Sequence, residues 1–261
     1  MKSIWVHHFP HQKHLKRFLC LLIENDGVQS LCSGNGQGIF PLHCGIVIPY
    51  DSITDSQEIA SNFKATHYKF TRRVVTYGFS RLLNAARVKG FGSLFSNQFS
   101  LQDKIQITGQ TAQIRELATK GTIIMVPTHF SNLDSVLIGW IISVLGMPPF
   151  IYGAGLNLFN ISIFAYFMNA LGAYKVDRRK KNLMYLETLK TYSKEAIQFG
   201  CHSLFFPGGT RSRSGIIESR LKLGLLSTAI EAQRENFKQG ISDVSGKIFI
   251  VPVTINYHFV L

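Results

Sequence analysis

The sequence lacks any apolar stretch of the about eighteen residues that a membrane-spanning helix needs. Its longest apolar stretch, residues 136–151, is interrupted by glycines and prolines, so we expect a buried helix that runs into a strand there. Basic residues precede Phe18–Ile23 near the N-terminus, but six apolar residues are too few for the core of a signal peptide. We therefore expect a cytosolic protein that contacts a membrane surface without crossing it.

Acidic residues are scarce, which leaves the chain with an excess of positive charge. It has 28 Lys and Arg residues against 15 Asp and Glu residues, a formal net charge of +13. Residues 61–120 contain ten basic and two acidic residues, whereas residues 1–60 contain four and five. Such an excess suits anionic lipid, phosphorylated substrates or nucleic acid, or is simply a solvated basic face. No recognised nucleic-acid-binding module is present, so we do not expect a nucleic-acid partner.

Cysteine is too sparse and too scattered for a disulfide framework. The four cysteines form no CxxC pair and have no cluster of other ligands beside them, so we predict free thiols, no metal site and no cofactor. The glycine-rich stretch Ser33–Gly38 has the spacing GxGxG, which differs from that of a dinucleotide site, and no clear helix follows it.

The N-terminal part divides into two segments. Residues 1–60 give no clear pattern and are interpreted as an extension. In residues 61–104, apolar and basic residues alternate at helical spacing, as in Phe70, Val74 and Tyr77. A basic amphipathic helix of this kind suits a membrane interface, although a helix that packs on its own catalytic domain would show the same pattern.

Residues 105–261 form the third predicted segment, in which short strands alternate with helices. This alternation predicts an α/β domain with a mixed, largely parallel sheet flanked by helices, preceded by the helical membrane-docking segment. Active-site residues of such sheets lie in loops at the carboxyl ends of the strands. The predicted strands are Thr122–Val126, Phe150–Tyr152, Ala173–Val176, Ser203–Phe206 and Ile248–Ile255, and the predicted helices are Ser135–Leu145, Leu158–Leu171, Lys180–Phe199 and Leu221–Asn236.

The first chemical motif follows the first of these strands, where His129 and Asp134 are five residues apart. If the chain turns from strand into helix between them, the carboxylate can accept the far N–H of the imidazole and fix its tautomer. The other ring nitrogen is then free to take a proton from an alcohol. An Asn132 or Asp134 helix cap beside an incidental histidine would give the same spacing.

The second motif is the loop Phe205–Gly215, which follows the fourth strand. Its small residues expose backbone N–H groups that can hold an oxyanion or a phosphate oxygen. Arg211 and Arg213 add fork-shaped donors suited to a phosphate. The loop does not contain the GxSxG sequence of a serine hydrolase, and a plain surface loop with two solvated arginines is the alternative.

Together these stretches resemble the glycerolipid acyltransferases, the superfamily of glycerol-3-phosphate and lysophosphatidate acyltransferases. Four blocks of that family occur in order: His-x-x-x-x-Asp, an extended segment ending in arginine, Phe-Pro-Glu-Gly-Thr-Arg-Ser, and an apolar strand with a proline. They are matched here by His129 to Asp134, Gly172–Arg179, Phe206–Ser212 and Ile250–Thr254. Gly208 stands where the third block of the family has its glutamate. The run Gly153–Leu158 is similar to the glycerol-3-phosphate branch.

The resemblance implies that His129, oriented by Asp134, deprotonates an acceptor hydroxyl, which attacks the thioester of acyl-CoA or acyl-carrier protein. It implies an oxyanion site at Gly209 and Thr210. It also implies that Arg211, Arg213 and Arg178 hold the acceptor phosphate.

The expected acceptor is glycerol-3-phosphate in phospholipid biosynthesis, with lysophosphatidate as the alternative. A weakened lipid-binding homologue is a more distant alternative, because of Gly208. The expected location is the cytoplasmic face of a membrane. Since the family continues past its fourth block, truncation at the C-terminus is a further expectation.

Overall fold

The structure, a computed structural model, describes residues 40–41, 47–48, 55, 58–60, 63, 65–84, 101–102, 104–131, 133–208, 221–241 and 246–257. The strands are β1 (Phe40–Pro41), β2 (Val47–Ile48), β3 (Thr122–Pro127), β4 (Ile151–Gly155), β5 (Ala173–Val176), β6 (Ser203–Leu204) and β7 (Ile248–Val253). The α-helices are α1 (Ala65–Leu83), α2 (Thr111–Lys120), α3 (Asp134–Val144), α4 (Ser162–Ala170), α5 (Leu183–Gln198) and α6 (Ser227–Lys238), and Leu156–Phe159 forms a 3-10 turn.

Five of the strands form one sheet in the order β5-β4-β6-β3-β7. Every pairing in this sheet is parallel, whereas the short β1 and β2 pair antiparallel in a sheet of their own. The α/β prediction is confirmed, and the prediction of a mixed sheet is wrong for the described strands. Helices connect the successive strands of the large sheet, and such crossovers return the chain to the same end of the sheet.

Helices cover both faces of the sheet. The side chains of β3 alternate between these two faces, so each face receives apolar side chains from this strand. Ile123 and Met125 pack against α3 through Ile138 and Ile142. The intervening Ile124 packs on the other face, in a cluster with α5 and α6 that includes Ile197, Ala229 and Ala232. The central strand is therefore buried on both sides, and its carboxyl end opens onto the edge that contains His129.

Two predicted helices differ from the observed ones. The predicted helix Leu158–Leu171 is split, because Ile161 adopts an extended conformation with φ −103° and ψ 117° between the 3-10 turn and α4. The predicted helix Leu221–Asn236 begins only at Ser227, after a turn that contains Gly224. Glycine is a poor helix residue, and the Ser227 hydroxyl donates a 2.9 Å hydrogen bond to the Gly224 carbonyl oxygen at this start.

Helix α1 packs on the domain of the five-stranded sheet through one face. It contacts α3 and α4, and Thr71 and Phe79 are buried there. Phe70, Val74 and Tyr77 are exposed. Helical packing on the domain is thus observed, whereas membrane contact of this segment and the boundaries at residues 60 and 104 stay predictions. None of the helices in the described ranges combines the length and apolar character that a membrane crossing requires.

Candidate active site

The turn between β3 and α3 brings His129 and Asp134 together. His129 lies two residues beyond the last residue of β3, and Asp134 is the first residue of α3. The Nδ1 atom of His129 is 2.9 Å from Oδ2 of Asp134, and the Asp134 side chain is fully buried. The predicted contact between them is therefore present, at the carboxyl edge of the sheet.

The Asp134 carboxylate accepts further hydrogen bonds that hold it in place. Its Oδ2 atom accepts the backbone N–H of Phe130 at 2.6 Å and that of Ser131 at 2.8 Å. Asp134 also lies in the first turn of α3, where the helix dipole favours a negative charge. Because Oδ2 is surrounded by N–H donors, it faces His129 as an acceptor, and Nδ1 of the imidazole must be the protonated nitrogen.

The Nε2 atom of His129 is consequently the ring nitrogen available to a substrate. The His129 side chain is 18% exposed, so it is reachable from solvent, although most of its surface is covered. Its ring packs on Phe206 with the two ring centroids 4.2 Å apart. Phe206 follows β6, the neighbour of β3 in the sheet, so this contact joins the first and third sequence blocks at one place.

A tyrosine that the sequence analysis missed completes the surroundings of Asp134. The Tyr257 hydroxyl donates a hydrogen bond to Oδ1 of Asp134. Burial, and then the neighbouring Asp134 carboxylate, raise the pKa of Tyr257, so its hydroxyl keeps its proton and stays a donor. No local spacing signals this contact, because the two residues are 123 positions apart in the chain.

The pairing of β3 with β7 determines where Tyr257 lies. The two strands pair in register from Thr122 with Ile248 to Pro127 with Val253. Beyond them, the Thr128 N–H donates to the Val253 carbonyl oxygen at 3.1 Å, and the Ile255 N–H donates to Oγ1 of Thr128 at 3.0 Å. The chain after β7 is thereby held against the chain after β3 as far as the buried Ile255.

Comparison with known proteins identifies the family to which this fold and site belong. The family model described as "Acyltransferase" matches residues 104–256, which include the whole five-stranded sheet. The chain belongs to the acyltransferase family. The resemblance drawn from the four sequence blocks is confirmed.

Two individual proteins are similar to this acyltransferase. A glycerol-3-phosphate acyltransferase of Hamiltonella defensa subsp. Acyrthosiphon pisum (strain 5AT) is 32% identical over 150 residues, which are 57% of this chain and 17% of that protein. The crystal structure of the 1-acyl-sn-glycerophosphate (LPA) acyltransferase PlsC from Thermotoga maritima matches 70% of this chain and 71% of its own, with 16% identity and a TM-score of 0.31. The chain spans about one sixth of the length of the first protein.

Of the predicted phosphate-binding residues of the acyltransferase, Arg178 is the one that lies within the described residues. Arg178 is exposed in the loop after β5. Its neighbour Arg179 is paired with Asp177 through two side-chain hydrogen bonds of 3.0 and 2.9 Å. Hydrogen bonds from Arg179 lower the pKa of Asp177 to about 2, so this pair persists at neutral pH and leaves Arg178 as the available cation of the two.

Distance limits what Arg178 can do. Strands β5 and β3 are three strand spacings apart, about 14 Å at about 4.8 Å each. The arginine side chain must therefore reach toward His129 along the carboxyl edge. Gly209, Thr210, Arg211 and Arg213 lie outside the described residues. Gly208, which replaces the family glutamate, is buried in the turn after β6.

An apolar pocket of the acyltransferase begins next to the His129–Asp134 pair in the sequence. It opens between α1 and α3, and Ser135, the residue after Asp134, lines it. Most of its wall is aromatic or aliphatic. The apolar wall residues include Val75, Phe79, Trp140, Phe150 and Leu204, and Gly139 leaves part of the wall open.

Proposed function

We propose that the protein transfers a fatty acyl group from acyl-CoA or acyl-carrier protein to a hydroxyl of glycerol-3-phosphate, a step of phospholipid biosynthesis. The principal observation is the contact of His129 with the buried Asp134 carboxylate at the carboxyl edge of an acyltransferase domain. The glycerol-3-phosphate acceptor is supported by the name of the relative that is 32% identical over 150 residues.

The proposed reaction is a direct transfer between two substrates. Nε2 of His129 takes the proton of the acceptor hydroxyl while the hydroxyl oxygen forms a bond to the thioester carbonyl carbon. The resulting tetrahedral oxyanion would be stabilised by backbone N–H groups at Gly209 and Thr210. When the carbon–sulfur bond breaks, the imidazolium returns its proton to the thiolate, so ester and free thiol are the products.

The apolar pocket is the proposed site of the acyl chain. Its wall offers the hydrocarbon little but aliphatic and aromatic surface, and burying a chain there removes apolar surface from water. Ser135 on the wall is adjacent in sequence to Asp134, so the pocket is close to the group that activates the acceptor. The carboxyl end of an acyl chain held there would lie near His129.

Assays with two acceptors test the proposed substrate. Arg178, Arg211 and Arg213 are the proposed contacts of the acceptor phosphate, which both glycerol-3-phosphate and lysophosphatidate possess. Free-thiol release from acyl-CoA should therefore be measured with each acceptor and with neither. Release that depends on glycerol-3-phosphate supports the proposal. Release that depends only on lysophosphatidate assigns the alternative acceptor, and acyl-CoA binding without release assigns a lipid-binding protein.

We also propose that α1 places the enzyme at a membrane surface. Its exposed face combines Phe70, Val74 and Tyr77 with the exposed basic residue Arg73. Apolar side chains beside basic ones are suited to the boundary between anionic headgroups and acyl chains. The side of the membrane stays a prediction.

Vesicle flotation tests the membrane proposal. The paired substitutions Phe70→Ser and Tyr77→Ser should reduce flotation with vesicles that contain anionic phospholipid. Ile230→Ser is a control, because Ile230 is also an exposed apolar residue and lies on α6, across the sheet from α3. Equal flotation of the paired variant and the control would contradict the proposal.

A further inference from the structure

The two oxygen atoms of the Asp134 carboxylate have different hydrogen-bond partners. Oδ2 accepts from His129 and from the N–H groups of Phe130 and Ser131. Oδ1 accepts from the Tyr257 hydroxyl. The Asp134 side chain is fully buried, so solvent does not share in stabilising its charge. A donor on Oδ1 therefore changes how strongly the carboxylate attracts the proton of His129.

We propose that Tyr257 is a positioning residue that sets, through Asp134, the pH range in which His129 acts as a base. The hydroxyl stabilises part of the negative charge of the carboxylate. Without it, the carboxylate attracts the proton of the imidazolium more strongly, and His129 stays protonated to higher pH. A protonated imidazole cannot accept the proton of the acceptor hydroxyl, so activity near neutral pH would fall.

The surroundings allow this effect to be assigned to one titratable residue, since the other hydrogen-bond partner of the Tyr257 hydroxyl is the Ser131 side chain, which does not titrate. The titratable groups that the described residues place at the pair are His129 after β3, Asp134 on α3 and Tyr257 after β7. The chain after β6 contributes Phe206, which does not titrate. The Arg178 backbone is about 14 Å away along the sheet, so its charge acts weakly at this distance in solvent.

The fold also explains why a tyrosine at this position reaches Asp134. Thr128 holds Ile255 by a side-chain hydrogen bond, and Ile255 is buried. Tyr257 is two residues further along the same segment. Its residue surface remains 46% exposed, so removal of the hydroxyl leaves a side chain that the fold tolerates. The Tyr257→Phe variant therefore tests the role of the hydroxyl alone, and Tyr257→Leu provides a second variant without it.

The direct test is an NMR titration of the His129 ring protons, assigned by their loss in His129→Ala. In Tyr257→Phe, the midpoint of the His129 titration should move upward by about half to one pH unit, as a changed hydrogen bond to a charged group allows. In an Asp134→Asn background, the same substitution should move it by less than about a third as much. Tyr166→Phe is the matched control, because Tyr166 is also a partly exposed tyrosine and lies on α4.

Rates give the second readout. The acidic limb of kcat/KM should move upward with the NMR midpoint, while KM for both substrates stays within about twofold of wild type. An unmoved midpoint in folded Tyr257→Phe or Tyr257→Leu would overturn the inference. So would an equal shift in the Asp134→Asn background, or a raised KM with an unmoved acidic limb, which would place Tyr257 against a substrate.

The rate measurements rest on the proposed function, whereas the NMR titration does not. If the wild-type protein releases no thiol from acyl-CoA, the proposed function fails and the titration still decides the role of Tyr257. If the wild type is active and the midpoint does not move, this inference alone fails.

Discussion

Replacing Asp134 tests whether its hydrogen bonds hold the active-site turn together. Asp134→Ala removes the acceptor for two backbone N–H groups, those of Phe130 and Ser131, and for the Tyr257 hydroxyl. The Nδ1–H of His129 loses the same acceptor, and four donors without partners, at about 1 kcal/mol each, should lower the free energy of unfolding by about 4 kcal/mol. Asp134→Asn keeps one carbonyl oxygen for the two backbone N–H groups, so its expected loss is about 1 kcal/mol.

Activity should respond differently from stability. Both variants lack the negative charge that supports the imidazolium of His129, so both should lose on the order of 10³ in kcat/KM. Stability should be measured by urea denaturation and activity by thiol release from acyl-CoA with glycerol-3-phosphate. Glu187→Gln, which changes a carboxylate on the exposed side of α5, serves as the control and should match wild type in both assays.

Two results would refute this reasoning. An Asp134→Ala variant as stable as wild type would mean that the donors around the carboxylate find other partners. An Asp134→Asn variant with wild-type kcat/KM would mean that the charge of Asp134 plays no part in catalysis.

Three further predictions follow from buried groups and from the pocket. His202→Phe should lower the free energy of unfolding by about 1–3 kcal/mol in urea denaturation, because Nδ1 of His202 accepts the buried N–H of Ile123. Burial raises the pKa of Cys201 to about 12, so its thiol is protonated at neutral and mildly alkaline pH. Iodoacetamide at pH 8 should therefore leave Cys201 unlabelled in the native protein and label it after unfolding, as peptide mass mapping would reveal. Gly139→Leu should fill part of the pocket and lower kcat/KM for long acyl chains more than for short ones, and nothing lies within 4 Å of its added Cβ.

Much of the catalytic domain was predictable because its signals are local. The apolar run predicts the strand Thr122–Val126, and the observed strand β3, Thr122–Pro127, is one residue longer. The contact between His129 and Asp134 follows from a strand that turns into a helix within five residues. Tyr257 was not predictable in this way, since its contact depends on the parallel pairing of β3 with β7. Such pairing is set by the whole sheet, which no short stretch of sequence encodes.

The spacing of apolar residues also predicted the helices, but it did not indicate which side of each helix is buried. Leu183, Leu186 and Leu189 of α5 follow one another at helical spacing, yet Leu183 and Leu186 are exposed and Leu189 is buried. The buried contacts are made by Tyr185 and Tyr192, with Leu189 between them in the chain. Tyrosine suits this position because its ring can be buried while its hydroxyl finds a partner, as that of Tyr185 does with the N–H of Asp177.

Helix α1 has apolar residues on more than one side. Packing on its own domain and contact with a membrane surface are therefore compatible. Thr71 and Phe79 lie on the side that packs on the domain. Phe70, Val74 and Tyr77 lie on the exposed side. Apolar spacing alone could not separate these sides, because both repeat at three or four residues. The packed side is an observation, and the membrane contact of the other side awaits the flotation measurement.

The most direct test of the proposed mechanism is the rate of thiol release from acyl-CoA by His129→Ala with glycerol-3-phosphate as the acceptor. His67→Ala is the matched control, because His67 lies on α1 and contacts Tyr166 instead of the catalytic pair. The mechanism predicts that His129→Ala loses on the order of 10³ or more in kcat/KM with an unchanged melting temperature, and that His67→Ala keeps wild-type activity. Wild-type turnover by folded His129→Ala would contradict the assignment of His129 as the base.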